Sequence, residues 1–246
     1  DGSQLTNLPS SGGGLQSVTE NSKTGYRRAD ANAANYGDIG LGAVDLSNSP
    51  SASTTMGATG ENSIAMGRAT TASGLYSTAM GNSTVASGHD GATAMGSGTV
   101  ASGISSTAMG SNTEASGNGS TAMGGKTRAL GNGSTAMGAS TTASGDMSIA
   151  MGASTIASDY GSVVIGQYNS AGATITSNAT SYAVDNTAFV IGNGTDEANV
   201  SDAFVVDFSG NTTAAGTVTA TGGFIGDGSQ LTNLPSSGGG LQSVTE

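Results

Sequence analysis

His89 is the single histidine among 246 residues, so any Ser-His chemistry would have to pass through it. A hydrolytic site needs a nucleophile, a base and a third group that orients the base. Serines are abundant, but His89 stands in the turn-rich run His89-Asp90-Gly91 without a partner set. It reads as a loop residue rather than a base. Asp185, Asp196, Glu197, Asp202 and Asp207 are neighbours in sequence and carry the oxygen ligands that Ca2+ takes, but without EF-hand spacing. They read as solvated turn acids. No cysteine is present, which excludes disulfides and thiolate metal sites and leaves the redox compartment open. The glycines, 42 in all, are periodic turn residues rather than a phosphate loop. The expectation is a non-enzyme with no cofactor and no metal. Asn82, Asn118, Asn132, Asn178, Asn193, Asn199 and Asn211 each open an N-x-Ser/Thr sequon. Sequons arise by chance in a chain this rich in Ser, Thr and Asn, and glycosylation of an outer face would depend on the host.

What remains is the pattern that holds these residues. Ser-Ile-Ala-Met-Gly at 63–67 recurs at 148–152 and as Ser-Thr-Ala-Met-Gly at 77–81, 106–110, 120–124 and 134–138, with variants Ala-Thr-Ala-Met-Gly at 92–96 and Ser-Val-Val-Ile-Gly at 162–166. The closing glycines are 14 residues apart except for one spacing of 15, where His89-Asp90-Gly91 adds a residue. Between them lies Thr-x-Ala-Ser-Gly, at 70–74, 84–88, 99–103, 113–117 and 141–145, with variants at 127–131 and 155–159. The unit is therefore two short strands and two turns. Such self-similarity marks a solenoid whose repeats touch only their neighbours. Glycine at each strand end suits a turn that needs positive φ.

Side chains alternate faces along a strand. In the long strand Thr78 and Met80 share one face, and Ser77 and Ala79 the other. The bulkier face is expected inside, giving a roll core of Met66, Met80, Met95, Met109, Met123, Met137, Met151 and Ile165. The opposite column, Ala65, Ala79, Ala94, Ala108, Ala122, Ala136 and Ala150, is uniformly small and never charged. A freely solvated face would drift in size and charge, so this column is expected to meet another chain. In the second strand Thr and Ala face inward, and the residue between them varies from Val85 to Glu114 and Arg128. That column faces solvent, and Glu114 and Arg128 lie one rung apart, about 4.8 Å, close enough to pair. Burying a Met contributes roughly 1.5–3 kcal/mol, while ordering a residue costs about 1–2 kcal/mol. A lone coil with one Met per turn is marginal, and self-association along the Ala face would supply the missing burial.

Charged residues are 9% and aromatics 4%, with net charge −11 and six Lys and Arg. Nucleic acid and anionic membrane need a basic surface and are not expected as partners. No apolar run approaches the roughly 18–20 residues of a membrane span. Arg27-Arg28 is the one basic doublet. It either meets acids at a junction between units or lies plainly on the surface, and the surface reading is preferred. Residues 1–20 (DGSQLTNLPSSGGGLQSVTE) recur, residue for residue, as 227–246. This reads as a window on a tandem array with a period of 226, starting mid-unit.

The alternation of Ser-x-Ala-Met-Gly and Thr-x-Ala-Ser-Gly at 14 residues resembles the YadA-like head repeats of trimeric autotransporter adhesins, over residues 56–166. The resemblance implies a left-handed parallel β-roll, three of which pack around a threefold axis. Met replaces the Ile or Val more frequent in that family. The flanks, at 203–220 and 224–235, are similar to linker modules of phage tail fibres and large bacterial surface proteins. The expected fold is all-β. A linker (1–20) and an N-terminal β segment (21–55) lead to the period-14 roll (56–166). A β-meander or prism connector (167–226) follows, then the start of the next unit (227–246). The expected function is a structural and adhesive module of a homotrimeric extracellular fibre on a cell or virion surface. Its partners would be further copies of itself, end to end, and a host or cell-surface glycan or protein. A phage tail-fibre shaft is the alternative. A Thr-array surface for ice or glycan is a third reading, and it requires Thr columns that point outward.

Overall fold

The chain, seen in a computed structural model, is described over residues 14–219 and at residue 221. It divides into two compact units, Asp1–Ala215 and Gly216–Glu246, and all described strands lie in the first. The expected linker up to Gly13 and the expected next unit at 227–246 fall outside the described residues.

A hairpin opens the fold, β1 (Leu15–Glu20) with β2 (Lys23–Arg28). Its two-residue turn, Asn21-Ser22, has φ of 48° and 64°, the pair of left-handed residues that matches strand twist in a tight hairpin. Then β3 (Val44–Asn48) joins β2 in parallel, and the coil begins with β4 (Gly57–Ala58). Long and short strands alternate from there. They are β5 (Ile64–Arg68), β6 (Thr71–Ala72), β7 (Thr78–Asn82), β8 (Val85–Ala86), β9 (Thr93–Ser97), β10 (Val100–Ala101), β11 (Thr107–Ser111) and β12 (Glu114–Ala115). The series continues through β13 (Thr121–Gly125), β14 (Arg128–Ala129), β15 (Thr135–Ala139), β16 (Thr142–Ala143), β17 (Ile149–Ala153), β18 (Ile156–Ala157) and β19 (Val163–Gln167).

Long strands stack parallel in one sheet and short strands in a second. The register is the sequence period itself: Ala108 sits on Ala122, and Met109 on Met123. The result is a parallel β-solenoid of 14-residue turns. Its interior is narrow, because a five-residue strand, a two-residue strand and two turns close each coil. Four small columns fill it, with Ser106, Ala108, Thr113 and Ala115 as one turn's share, all essentially unexposed.

Two glycine columns are needed for different reasons. Gly110 has φ of +124°, and a Cβ there would lie 2.0 Å from the Gly124 carbonyl oxygen. Gly103, in the second motif, has no such φ, yet its Cβ would lie 2.1 Å from the Gly117 oxygen. The expected positive-φ turn thus holds for the first column, while the second is fixed by the close approach of successive rungs.

Met56-Gly57 echoes the Met-Gly that ends each long strand, but residues 55–60 hold only a two-residue strand. Gly57–Ala58 is the first short strand, in register with Thr71–Ala72, and the long strand of that turn is Val44–Asn48, with Leu46 on Met66. Of the glycine-punctuated stretch 36–46, Val44–Leu46 lies in β3, and the residues ahead of it fold over the edge of β4, where Gly37 N–H donates to the Met56 carbonyl and Gly40 N–H to that of Ala58.

At the far end β20 (Thr187–Asn193) adds to β19 in parallel, and β21 (Asp202–Asp207) and β22 (Thr212–Ala214) follow antiparallel. The apolar runs 188–191 and 203–206 lie within β20 and β21, and the Thr/Ala/Val run that begins at residue 212 is strand only over Thr212–Ala214. The short-strand sheet ends at β18, and Asn169 closes its edge. The Asn169 amide oxygen accepts from Ile156 N–H at 2.8 Å, and its NH2 donates to the Ile156 carbonyl at 2.8 Å. One side chain thereby supplies both bonds that a further strand would make.

Candidate interaction surface

The outer face of the long-strand sheet carries two stacked columns. One is Val44, Ile64, Thr78, Thr93, Thr107, Thr121, Thr135, Ile149, Val163 and Phe189, and the other is Leu46, Met66, Met80, Met95, Met109, Met123, Met137, Met151, Ile165 and Ile191. Neither contains a charge. Ten rungs at about 4.8 Å make a stripe roughly 43 Å long. Its side chains are half-buried to exposed, Met66 at 39% and Met137 and Met151 at 37%. A third outward column, including Arg68, Asn82, Ser97 and Ser111, is polar or small and borders it.

This arrangement reverses the expected sides. Ala65, Ala79, Ala94, Ala108, Ala122, Ala136 and Ala150 are each 0% exposed within the single chain, so they are the interior of the roll and have no surface to offer another chain. The Met column and Ile165 lie outside. The physical reason is room, since an interior closed by two-residue strands accepts Ala, Ser and Thr but not a four-atom side chain. The uniformity of the Ala column was a true signal of confinement, and what confines it is the opposite wall of its own roll. The second-strand reading holds: Thr113 and Ala115 face inward, and Glu114 faces outward with Arg128 at 2.9 Å.

Residues of types that do chemistry are placed apart. His89 is exposed in the loop of the one long spacing, where Asp90 and Gly91 have φ of 56° and 89°. Asp196 accepts from Ala198 N–H and the Asn199 side chain, and Asp202 accepts from Ser170 and Ala171 N–H. Asp207 accepts from the Ser209 hydroxyl and from Asn211. Hydrogen bonds from Asn199 hold the Asp196 carboxyl below its ordinary range, and the Ser209 hydroxyl followed by Asn211 does the same for Asp207. Asp196 and Asp207 each serve their own turn, and Asp202 ties residues 170–171 to the start of β21. Among the described residues no three His, Asp or Glu side chains converge on a point that would hold a metal, and no helix is long and apolar enough to cross a membrane.

Arg27 is not on the surface. It is 2% exposed, and its guanidinium donates to both Glu20 oxygens at 3.0 and 3.3 Å and to the Gly37 carbonyl. Its Nε lies 3.5 Å from Asp45 Oδ2, and it stacks 4.8 Å from the Tyr36 ring. Arg27 pairs in register with Asp45, and Asp45 with Ala65, so both continue the interior Ala column and plug its first end. Arg28 is half-buried and pairs with exposed Asp30. Sequence reasoning missed Asp45, and also Asp159, which replaces a column glycine and whose buried carboxylate accepts from Thr176 and Thr187 N–H. In both cases the available signal was a carboxylate where the repeat has a small residue.

The family model described as the YadA head domain repeat (2 copies) matches residues 58–84, 86–113, 115–141 and 143–169. Residues 58–169 carry YadA head domain repeats. Each match spans two turns and starts on the inward alanine of a short strand, Ala58, Ala86, Ala115 or Ala143. YadA heads are trimeric, structural and adhesive rather than catalytic, and the adhesins that bear them are exposed on the cell surface as outer-membrane proteins. Comparison with curated proteins gave no match.

Proposed function

We propose that the chain is a module of a homotrimeric extracellular fibre, attaching surfaces without catalysis, in which three copies bring their Thr/Met faces together. The observation that carries this reading is the uncharged outward stripe. A fully buried Met contributes roughly 1.5–3 kcal/mol, so covering one already more than half buried adds about 1 kcal/mol, repeated along seven rungs. An uncharged, partly apolar stripe of this length on a monomer marks an interaction surface. The short-strand face, with Glu114, Arg128 and the variable column, remains outward for a host or cell-surface glycan or protein.

Sedimentation equilibrium tests the assembly. The expected mass is three times 23.5 kDa, and the pair Met109→Glu and Met123→Glu is expected to give a monomer that keeps its β circular dichroism. A folded wild-type monomer would overturn the reading. One observation favours a second use of the same face: Thr78, Thr93, Thr107, Thr121 and Thr135 point outward, as an ice- or glycan-facing Thr array requires. A face covered in a trimer is closed to such a ligand, so the same mass measurement separates the two.

A further inference from the structure

On the reading that the short-strand face is the outward, partner-binding side of the module, we infer that a cleft at its far end takes a neutral hexopyranose unit of a glycan. Two columns of the roll form the floor. Ser140, Ser154 and Tyr168 follow one another on successive rungs, with Ser154 N–H donating to the Ala139 carbonyl and Tyr168 N–H to that of Ala153. Thr142 stacks on Ile156, and Asn169 lies beyond, on the edge that it closes. The walls are added where the repeat ends. One is the segment 169–173, held by Asp202, which accepts from Ser170 and Ala171 N–H at 3.0 and 2.7 Å. The other is the loop between β20 and β21, which contributes Glu197 and Val200. Gln167 Nε2 donates to the Gly194 carbonyl at the start of that loop, and Ser201 N–H to the Tyr168 carbonyl at its end. Within the loop, the Asn199 N–H and side chain donate to Asp196. Each segment is held by bonds that need no ligand, so the cleft is preorganised. Its volume is about 330 Å³, at the small end of the roughly 300–1,000 Å³ that small-molecule sites span.

The lining selects by chemistry. The Asn169 amide is engaged with Ile156 and Ala171. The groups left to meet a ligand are the hydroxyls of Ser140, Thr142, Ser154 and Ser170 and the Glu197 carboxylate. Hydroxyls both donate and accept, and a carboxylate accepts, which complements the hydroxyls of a sugar. Ser140 and Ser154 stand one rung apart, about 4.8 Å, a span that alternate hydroxyls of a pyranose ring match. Ile156, Val200 and Tyr168 offer apolar surface to the C–H face of the ring. No Lys, Arg or His is among the lining residues, so a phosphate, sulfate or sugar acid would meet the Glu197 carboxylate without a compensating cation. An ammonium group would find one exposed carboxylate, and exposed ion pairs are weak.

The test is saturation-transfer NMR on the full chain with methyl glycosides of glucose, galactose, mannose and N-acetylglucosamine, and with lysine amide as a cationic probe. At least one glycoside is expected to bind saturably, and lysine amide is not. Val200→Trp fills the cleft from an exposed position and is expected to weaken binding at least about tenfold. Thr142→Arg fills it from the floor, in a column that already carries Arg128, so the roll is expected to keep its β circular dichroism and to lose binding equally. Glu197→Ala removes a charge-assisted hydrogen bond and is expected to weaken binding at least about fivefold. Binding of none of the four glycosides, binding that survives both filling variants, or binding of lysine amide alone overturns the inference. Sedimentation of the same samples keeps the assembly separate. A trimer that binds no glycoside retains the fibre reading and overturns the cleft, whereas a monomer that binds one supports the cleft and overturns the trimer.

Discussion

The two ends of the roll finish the same interior column with opposite chemistry. At the first end the column of alanines continues into Asp45 and Arg27, an ionic plug completed by Glu20 and Tyr36. At the other it continues into Val164 and Val190, both fully buried, while on the outer face Phe189 meets Phe204 edge-on. A solenoid must stop exposing its interior at both ends. The apolar stop tolerates variation, because its fit depends mainly on volume. The ionic stop does not, because each charge is buried on the condition that its partner stays.

That contrast ranks the expected effects. Arg27→Leu should be the most damaging change, since it strands buried Asp45 and partly buried Glu20. A loss of about 3–5 kcal/mol is expected in denaturant unfolding, and an effect below about 1 kcal/mol would show that the plug is dispensable. Ala108→Leu, midway between the ends, probes the narrow interior directly. Overpacking should destabilise it by about 1–3 kcal/mol, whereas Met109→Leu next to it should leave unfolding nearly unchanged. Val164→Ala places there the residue found on the seven rungs from Ala65 to Ala150, so little cavity should remain. Its cost should be about 1.5 kcal/mol, the transfer of two methyl groups. Glu114→Ala removes an exposed pair on the outer face and should shift unfolding by less than about 0.5 kcal/mol. Equal effects for Arg27 and Val164 would make the two stops equivalent, and the reverse order would overturn the contrast.

The outer stripe and the interior column differ in the same way as the ends, by what surrounds them rather than by what they are. Along β11, Ala108 and Met109 are adjacent and both uncharged. Ala108 is sealed in its own chain, and Met109 is half-buried on the outer face. Hydrophobicity alone pointed to Met as the core. Volume decided otherwise.

Much of the fold was legible in the residues. The 14-residue period fixed parallel stacking and register, because only in-register stacking places glycine over glycine where a Cβ would strike the next rung. The pairing of Glu114 with Arg128 followed from that register. The boundaries of the coil were less legible, since Gly57–Ala58 carries a long-strand motif in letters but pairs as a short strand. Tertiary structure alone decided which face of each long strand is inside, because alternation defines two faces without saying which one the opposite wall will meet. It also alone brought Glu20, Arg27, Tyr36 and Asp45 together, and set Asn169 on the last edge. Those contacts join residues whose separation in sequence carries no period, and burial in a narrow, low-dielectric interior is what makes each of them necessary.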